Sequence, residues 1–153
     1  MVHRKTERGQ ALILITLAMI GLIALTGLTV DGGMAYSDRR NAQNAADSAA
    51  FAAALAHSRG QNVTNIGQGV ALTNGFNNDG TTNTVAITVV NSPSGVCPAG
   101  ATNNKDITVE ITSVTNTTFA NVVGVQQVTN VVSATTRSCG TYIAPIFDGN
   151  AIV

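Results

Sequence analysis

Residues 11–30 read ALILITLAMIGLIALTGLTV, twenty residues without a charged side chain. An α-helix rises about 1.5 Å per residue, so this run is long enough to cross the roughly 30 Å hydrocarbon layer of a membrane. The helical pattern continues beyond it, through an Ala-rich polar segment, to residue 58. The sequence therefore predicts one long helix over residues 10–58, membrane-spanning in its first half (the apolar span, residues 11–30) and amphipathic in its second.

The second half of this helix carries alanines at spacings of three and four, which places them on one face. The alanines of this stripe are Ala42, Ala45, Ala46, Ala49, Ala53 and Ala56. An isolated Ala-rich helix would have the same composition, but the regular spacing favours a contact face for helix-to-head packing. Between the two halves, Gly32 and Gly33 predict a local kink or unwinding, since glycine costs about 1 kcal/mol relative to alanine in a helix.

Small residues also recur within the apolar span, at every third position from Ala18 to Gly27. At about 100° per residue this row drifts around the helix, so it is not a GxxxG dimer stripe. Ordinary small residues of a membrane helix explain the row, and so does close packing against several neighbouring helices. In the second case the span forms a helix core for assembly, with the predicted members Leu12, Leu14, Leu17, Ala18, Ile20, Gly21, Ala24 and Leu28.

Three basic residues and one acidic residue precede the span, among residues 1–10. Basic residues beside a span stay in the cytoplasm, so the pattern predicts that the chain after the span faces outward. Three interpretations of this start are open: a secretory signal peptide, a plain signal anchor, and a pilin-type leader cut between Gly9 and Gln10. The helical pattern that continues past residue 30 argues against a signal peptide.

Beyond Gly60, which lies in the usual helix-capping position, the chain is rich in Asn, Thr, Ser, Gly and Val. A short helix is predicted over residues 63–76 and a helical turn over residues 117–123. Alternation with a period of two predicts strands over residues 84–91, 105–114 and 126–138, with Ile107, Val109 and Ile111 facing inward. Three short strands need a covering element, and the alanine stripe supplies one.

These elements predict an α+β chain with three parts: a basic leader (residues 1–9), the long helix (residues 10–58) and a small extracytoplasmic head (residues 62–153). The tail over residues 142–153 is expected to pack on the head or on a neighbouring subunit. Cys97 and Cys139, downstream of a membrane segment, predict a disulfide in an oxidising compartment. Two unpaired, buried thiols are the alternative.

Composition excludes several functions. The formal net charge is zero, 10% of residues are charged, 4% are aromatic and none is Trp, so we expect no nucleic-acid partner. His3 and His57 have no second ligand near them in sequence, and we interpret His57 as a solvated helix residue. Asp106 and Glu110 lie on the solvent-facing side of a predicted strand, and this alternation explains the two carboxylates without a catalytic role. We therefore expect no enzyme activity, no cofactor, no metal and no small-molecule substrate.

Several short motifs lie around the apolar span: Arg8-Gly9-Gln10-Ala11-Leu12 before it, then Asp31-Gly32-Gly33, Tyr36, Arg39-Arg40, and Gln43-Asn44-Ala45-Ala46-Asp47-Ser48-Ala49-Ala50 after it. Together they resemble the N-terminal region of the TadE/TadG-like proteins of tight-adherence (Flp) pilus assembly, over about residues 8–56. The resemblance implies a bacterial pilin-like protein shaped like a lollipop, with a long N-terminal helix, half transmembrane, packed on a small antiparallel β-sheet.

By this resemblance the chain is a structural subunit of an extracellular pilus-like filament, assembled as the apolar span exchanges lipid for identical helices. The alternative is a membrane-resident minor pilin or accessory protein that does not polymerise; a third is an anchored binding module. The implied partners are copies of this chain or other pilins, the inner membrane and the pilus assembly machinery. The implied location is the bacterial inner membrane before assembly and the cell surface afterwards. After a cut between Gly9 and Gln10, Leu14 would be the fifth residue of the chain, the position at which pilins processed after Gly usually carry Glu.

Overall fold

The computed structural model of the chain describes residues 8–140. In order, its elements are helix α1 (Arg8–Ser58), helix α2 (Val63–Thr73), strand β1 (Asn83–Asn91), strand β2 (Lys105–Asn116), a 3₁₀ turn (Ala120–Val123) and strand β3 (Gln127–Ser138). The predicted α+β class is confirmed: a long N-terminal apolar helix accompanies a small three-stranded antiparallel sheet. The interpretations of residues 1–7, including His3, and of the tail over residues 142–153 lie outside the described residues.

Two predicted local features differ from the structure. α1 is helical through Gly32 and Gly33, so the helix does not unwind there, because the small cost of two glycines is outweighed by the helix that continues for many turns on either side. α2 ends at Thr73, three residues earlier than predicted. Its C-terminus is followed by Gly75 in the left-handed region (φ +94°), a conformation that suits glycine and turns the chain away.

The chain divides into two compact units. The first, which we call the span unit, combines α1 up to Ser37 with the connection Thr115–Val128. The second, the head unit, combines Asp38–Val114 with the described chain from Thr129 to Gly140.

The core of the head unit lies between the second half of α1 and one face of the sheet. All six alanines of the stripe are at most 1% exposed. Those from Ala42 to Ala49 pack in one cluster with Val85 of β1, Val109 of β2 and Val132 of β3. Because each alanine side chain is a single methyl group, the helix backbone can lie close to the sheet.

α2 packs on the same core through a glycine. A Cβ atom placed on Gly67 would lie 2.5 Å from Cδ1 of Ile87 and 3.4 Å from Cβ of Ala53, so the end of the Ile87 side chain would have to move. Gly69, two residues further on, has no neighbouring atom within 4 Å of such a Cβ. The two glycines of α2 therefore have different surroundings, and of the two only Gly67 lies against the core.

The sheet has the order β1-β2-β3, with β1 and β2 antiparallel from Asn83 opposite Ser113 to Asn91 opposite Lys105. The inward side chains predicted for β2 (Ile107, Val109 and Ile111) are fully buried, as expected. On β1, Val85 is buried but Val89, on the same face of the strand, is exposed, so the core covers only the first part of that strand.

Candidate assembly surface

The apolar span is an uncovered surface within the described part of the chain. Its large side chains, from Leu12 to Leu28, are each 59–68% exposed, and its smaller members Ala18, Gly21 and Ala24 are exposed as well. α1 is the helix that is long and apolar enough to cross a membrane. An apolar surface of this size has to be covered by lipid or by other protein. The eight residues predicted to form a helix core belong to it, and their part in assembly stays a prediction.

The polar groups of the span are satisfied within the helix itself. The hydroxyls of Thr16, Thr26 and Thr29 each donate a hydrogen bond to the carbonyl oxygen four residues earlier, at 2.8–2.9 Å. Unpaired polar groups are costly in hydrocarbon, whereas hydroxyls that bond back to the helix are tolerated there. The threonines therefore do not disturb the apolar character of the surface.

Asp31, immediately after the span, accepts hydrogen bonds from the backbone of residues 118–120. Its Oδ1 accepts a hydrogen bond from the backbone amide of Thr118 at 2.9 Å, and its Oδ2 accepts from the amides of Phe119 at 2.9 Å and Ala120 at 2.6 Å. The residue is 5% exposed. The segment Phe119–Val125, which we call the apolar loop, is thereby anchored to α1 at the end of the span.

In the sequence, Asp31 marks only the end of the span, and its role as an anchor was not predicted. The one available signal was an acidic residue directly after twenty uncharged ones. A carboxylate beside an apolar segment needs partners, and three backbone amides are a full set. Its partners were not identifiable, because they lie 87 to 89 positions further along the chain.

Gly27, one helical turn before Asp31, is where the apolar loop meets the helix. A Cβ atom on Gly27 would lie 2.7 Å from Cβ and 2.8 Å from Cγ of Phe119. These atoms are close to the Phe119 backbone, so a side chain at residue 27 would push the loop away instead of moving a flexible end. Gly27 therefore permits the contact that Asp31 holds in place.

Helix and loop enclose an open groove of about 450 Å³. Its lining residues are all apolar: Ile20, Ile23, Ala24, Leu28, Phe119, Ala120, Val122 and Val123. Three of them (Ile20, Ala24 and Leu28) belong to the predicted helix core, so the loop modifies the surface through which the span would pack on a neighbour.

In the head unit, Asp38 of α1 connects the helix to two strands. Ser113 donates a hydrogen bond to Oδ1 of Asp38 at 2.9 Å, and the side-chain amide of Asn130 donates to Oδ2 at 2.8 Å. Both partners are buried, at 5% and 8% exposure. A carboxylate that accepts from β2 and β3 together fixes the position of the sheet along the helix.

His57 is not the solvated residue that the sequence predicted. Its Nδ1 lies 2.9 Å from the hydroxyl of Ser138, and its Nε2 lies 3.3 Å from the side-chain nitrogen of Asn103. The difference arises because the end of β3 packs beside the last turn of α1, a contact between residues 81 positions apart. Ser138 is only 5% exposed, which suits a structural connection better than contact with a substrate.

Cys97 and Cys139 are joined by a disulfide, with their Cα atoms 5.5 Å apart. It connects the loop after β1 to the residue that follows β3. In residues 8–140, no group of three or more His, Cys, Asp or Glu side chains is arranged to hold a metal ion.

The open face of the sheet carries one ion pair. Arg137 donates to both carboxylate oxygens of Asp106, at 2.6 Å and 2.9 Å, and Ser92 donates to the same carboxylate at 2.6 Å. These hydrogen bonds, first of all those from Arg137, lower the pKa of Asp106 to about 2. A carboxylate held in its charged form in this way is a structural group and a poor proton donor or acceptor near neutral pH.

Residues 9–56 match the model of a protein family described as putative Flp pilus-assembly TadE/G-like. The match includes the apolar span, Asp31 and the alanine stripe, and covers less than half of the chain. No curated protein and no solved structure gives a significant match. The predicted resemblance of the N-terminal region is thus confirmed. The match supports a part in Tad (Flp) pilus assembly, with a structural role, for a protein that is membrane-anchored and associated with the cell surface.

Proposed function

We propose that this chain is a structural subunit of a pilus-like filament and that it assembles through the apolar span. The observation that carries the proposal is the 59–68% exposure of every large side chain from Leu12 to Leu28. Burying one such side chain contributes about 1.5–3 kcal/mol, so the whole surface cannot remain in water. Lipid covers it in the membrane, and in a filament outside the membrane the spans of other copies would cover it.

The small residues of the span favour this arrangement. Ala18, Gly21 and Ala24 lie between the large side chains and are exposed in the single chain. Small residues let helix backbones approach closely and gain dispersion contacts that lipid does not offer as well. An exchange of lipid for identical helices would proceed without the span passing through water.

One observation favours a second role, a membrane-resident accessory protein of Tad (Flp) pilus assembly. Leu14 occupies the position at which pilins processed after Gly usually carry Glu. Without that carboxylate, a neighbour's N-terminal amine would have no partner in the helix core. A chain of this kind would stay in the membrane at low copy number while another pilin polymerises.

The test compares filaments sheared from cells that carry the wild-type chain, Leu17→Lys or Leu72→Lys. Leu72 is the matched control, because it is also exposed (57%) but lies in α2, outside the span. Each sheared fraction is examined by negative-stain microscopy and mass spectrometry, and each membrane fraction by immunoblot. We expect fibres made of this chain from the wild type and Leu72→Lys. From Leu17→Lys we expect membrane-inserted protein and no fibres.

Normal fibres from Leu17→Lys would contradict assembly through the span. Wild-type protein found wholly in the membrane fraction, beside fibres of another chain, would identify the accessory role. The intact mass of the shed protein also tests the interpretation in which a leader is cut between Gly9 and Gln10.

A further inference from the structure

We propose that the apolar loop, Phe119–Val125, is inserted into the lipid bilayer beside the apolar span. It would form a second membrane-contacting element, with lipid acyl chains as its partner. This inference rests on the span crossing a bilayer and is independent of whether the chain forms filaments.

The position of the loop along α1 sets its depth. The helix wall of the groove runs from Ile20 to Leu28, and the loop residues Phe119 to Val123 form the opposite wall. If residues 11–30 cross about 30 Å of hydrocarbon, Ile20 lies near the middle of the bilayer and Leu28 near its edge. A loop that faces this stretch of helix therefore occupies the half of the bilayer next to residue 30.

Apart from Asn121, which is polar and exposed, the side chains of the loop are apolar and suited to lipid. Val122 and Val123, at its tip, are 86% and 80% exposed, the two most exposed large apolar side chains of the described chain. Residues 111–136, which include the loop and the strand ends on both sides, contain no charged residue. Such a tip in water would be an exposed apolar patch, whereas in lipid it has the surroundings that its side chains favour.

At least five of the seven backbone amides of the loop already donate a hydrogen bond within the protein. Irregular backbone is costly in hydrocarbon because each unpaired amide lacks a water partner. Here the amides of Thr118, Phe119 and Ala120 donate to Asp31. The amides of Val122, Gly124 and Val125 donate to carbonyl oxygens within the loop, at 3.0–3.1 Å.

Asp31 is the positioning residue of this arrangement. It lies one residue beyond the span, where a carboxylate still has access to the interface, and it is only 5% exposed. Its three hydrogen bonds satisfy the first amides of the loop and hold them against the helix. Asp31 thus holds the start of the loop against the helix, while the tip of the loop contacts lipid.

The test uses the full chain in vesicles of phosphatidylcholine and phosphatidylglycerol. The chain contains no Trp, so a single introduced Trp is a unique fluorescent reporter. Val122→Trp places it at the exposed tip of the loop. Val90→Trp is the matched control: Val90 is 51% exposed and pairs with Asp106 of β2, in a charged and therefore hydrated setting. Emission is recorded in unlabelled vesicles and in vesicles with brominated acyl chains, at several protein densities.

We expect Val122→Trp to emit at shorter wavelength than Val90→Trp and to be quenched several-fold more strongly by brominated lipid at every protein density. Equal quenching of the two variants would overturn the proposal. A short-wavelength emission at Val122→Trp without quenching would also overturn it, because a second copy of the chain would then cover the loop.

Discussion

The Oδ2 atom of Asp31 accepts a hydrogen bond from the backbone amide of Phe119 at 2.9 Å, across 88 positions of the chain. One helical turn earlier, Gly27 leaves the space that the Phe119 side chain occupies. One carboxylate and one absent side chain therefore place the apolar loop on α1. Neither contact involves a periodic pattern, and both are open to single substitutions.

Asp31→Asn should loosen the apolar loop. The asparagine side chain keeps one oxygen acceptor and replaces the other by an NH₂ group, so in either orientation of the side-chain amide at least one of the three backbone amides loses its acceptor. We expect hydrogen exchange at residues 118–120 to become faster by on the order of tenfold, while exchange in β2 is unchanged. Asp47→Asn is the control, because Asp47 is exposed and accepts a side-chain bond from Gln43 on the same helix. Equal exchange in both variants would contradict the anchoring role.

The two glycines of α2 should respond in opposite directions. Gly67→Leu has to displace Ile87 and press on Ala53, and we expect it to lower the free energy of unfolding by about 1–3 kcal/mol. Gly69→Ala meets no neighbour and gains helix propensity, so we expect an increase of up to about 1 kcal/mol. Urea unfolding of the full chain in detergent micelles, followed by circular dichroism, measures both. A shift of the same sign in both variants would disprove the distinction.

The Asp106–Arg137 pair should make the head unit sensitive to acid. The pKa of Asp106 is about 2 in the folded chain, below its ordinary value of 3.8. A lowered carboxylate pKa stabilises the fold above about pH 4, and this contribution is lost as the pH falls toward about 2. Asp106→Asn should therefore lower the Tm at neutral pH and flatten its decline in acid.

Glu110→Gln is the control for this measurement, because Glu110 is exposed and lies on the same face of β2. Part of the acid sensitivity should remain in Asp106→Asn, because Asp79 also has a lowered pKa. The largest cause is the hydrogen bond that the Thr82 hydroxyl donates to Asp79, and it holds this pKa well below its ordinary range. A decline in Tm as steep in Asp106→Asn as in the wild type would rule out the pair as a source of acid sensitivity.

The disulfide should matter most in the unfolded chain. It joins residues 42 positions apart, and the chain-entropy estimate for a loop of that length is about 4 kcal/mol. We expect the double variant Cys97→Ser, Cys139→Ser to lose stability on this scale. A reductant should destabilise the wild type toward the same value and leave the double variant unchanged. A reductant effect of equal size on both chains would show that it acts elsewhere.

Much of the fold could be predicted because its signals are periodic. The apolar span, the alanine stripe from Ala42 to Ala56 and the alternation of Ile107, Val109 and Ile111 each repeat at the spacing of one helix face or one strand face. The face on which a side chain lies relative to its near neighbours depends only on the local helix or strand geometry, so it can be predicted from the spacing of residues in the sequence. The family match over residues 9–56 includes the apolar span and the alanine stripe.

The candidate site was only half predicted. Leu17, Ile20 and the rest of the span followed from composition, but the groove required the apolar loop, and the loop required Asp31. The unwinding considered at Gly32 and Gly33 does not occur for a related reason: propensity is a small local contribution, and the long helix on either side of the two glycines outweighs it.

By itself the sequence determined the long helix, its division into an apolar and an alanine-striped half, and the strands that the second half covers. The tertiary structure alone decided that Asp31 holds the apolar loop, that Asp38 joins β2 and β3 to the helix, and that His57 meets Ser138. These contacts join residues 75 to 92 positions apart. A polar side chain shows in sequence only that it needs a partner; which partner it has depends on how the whole chain closes on itself.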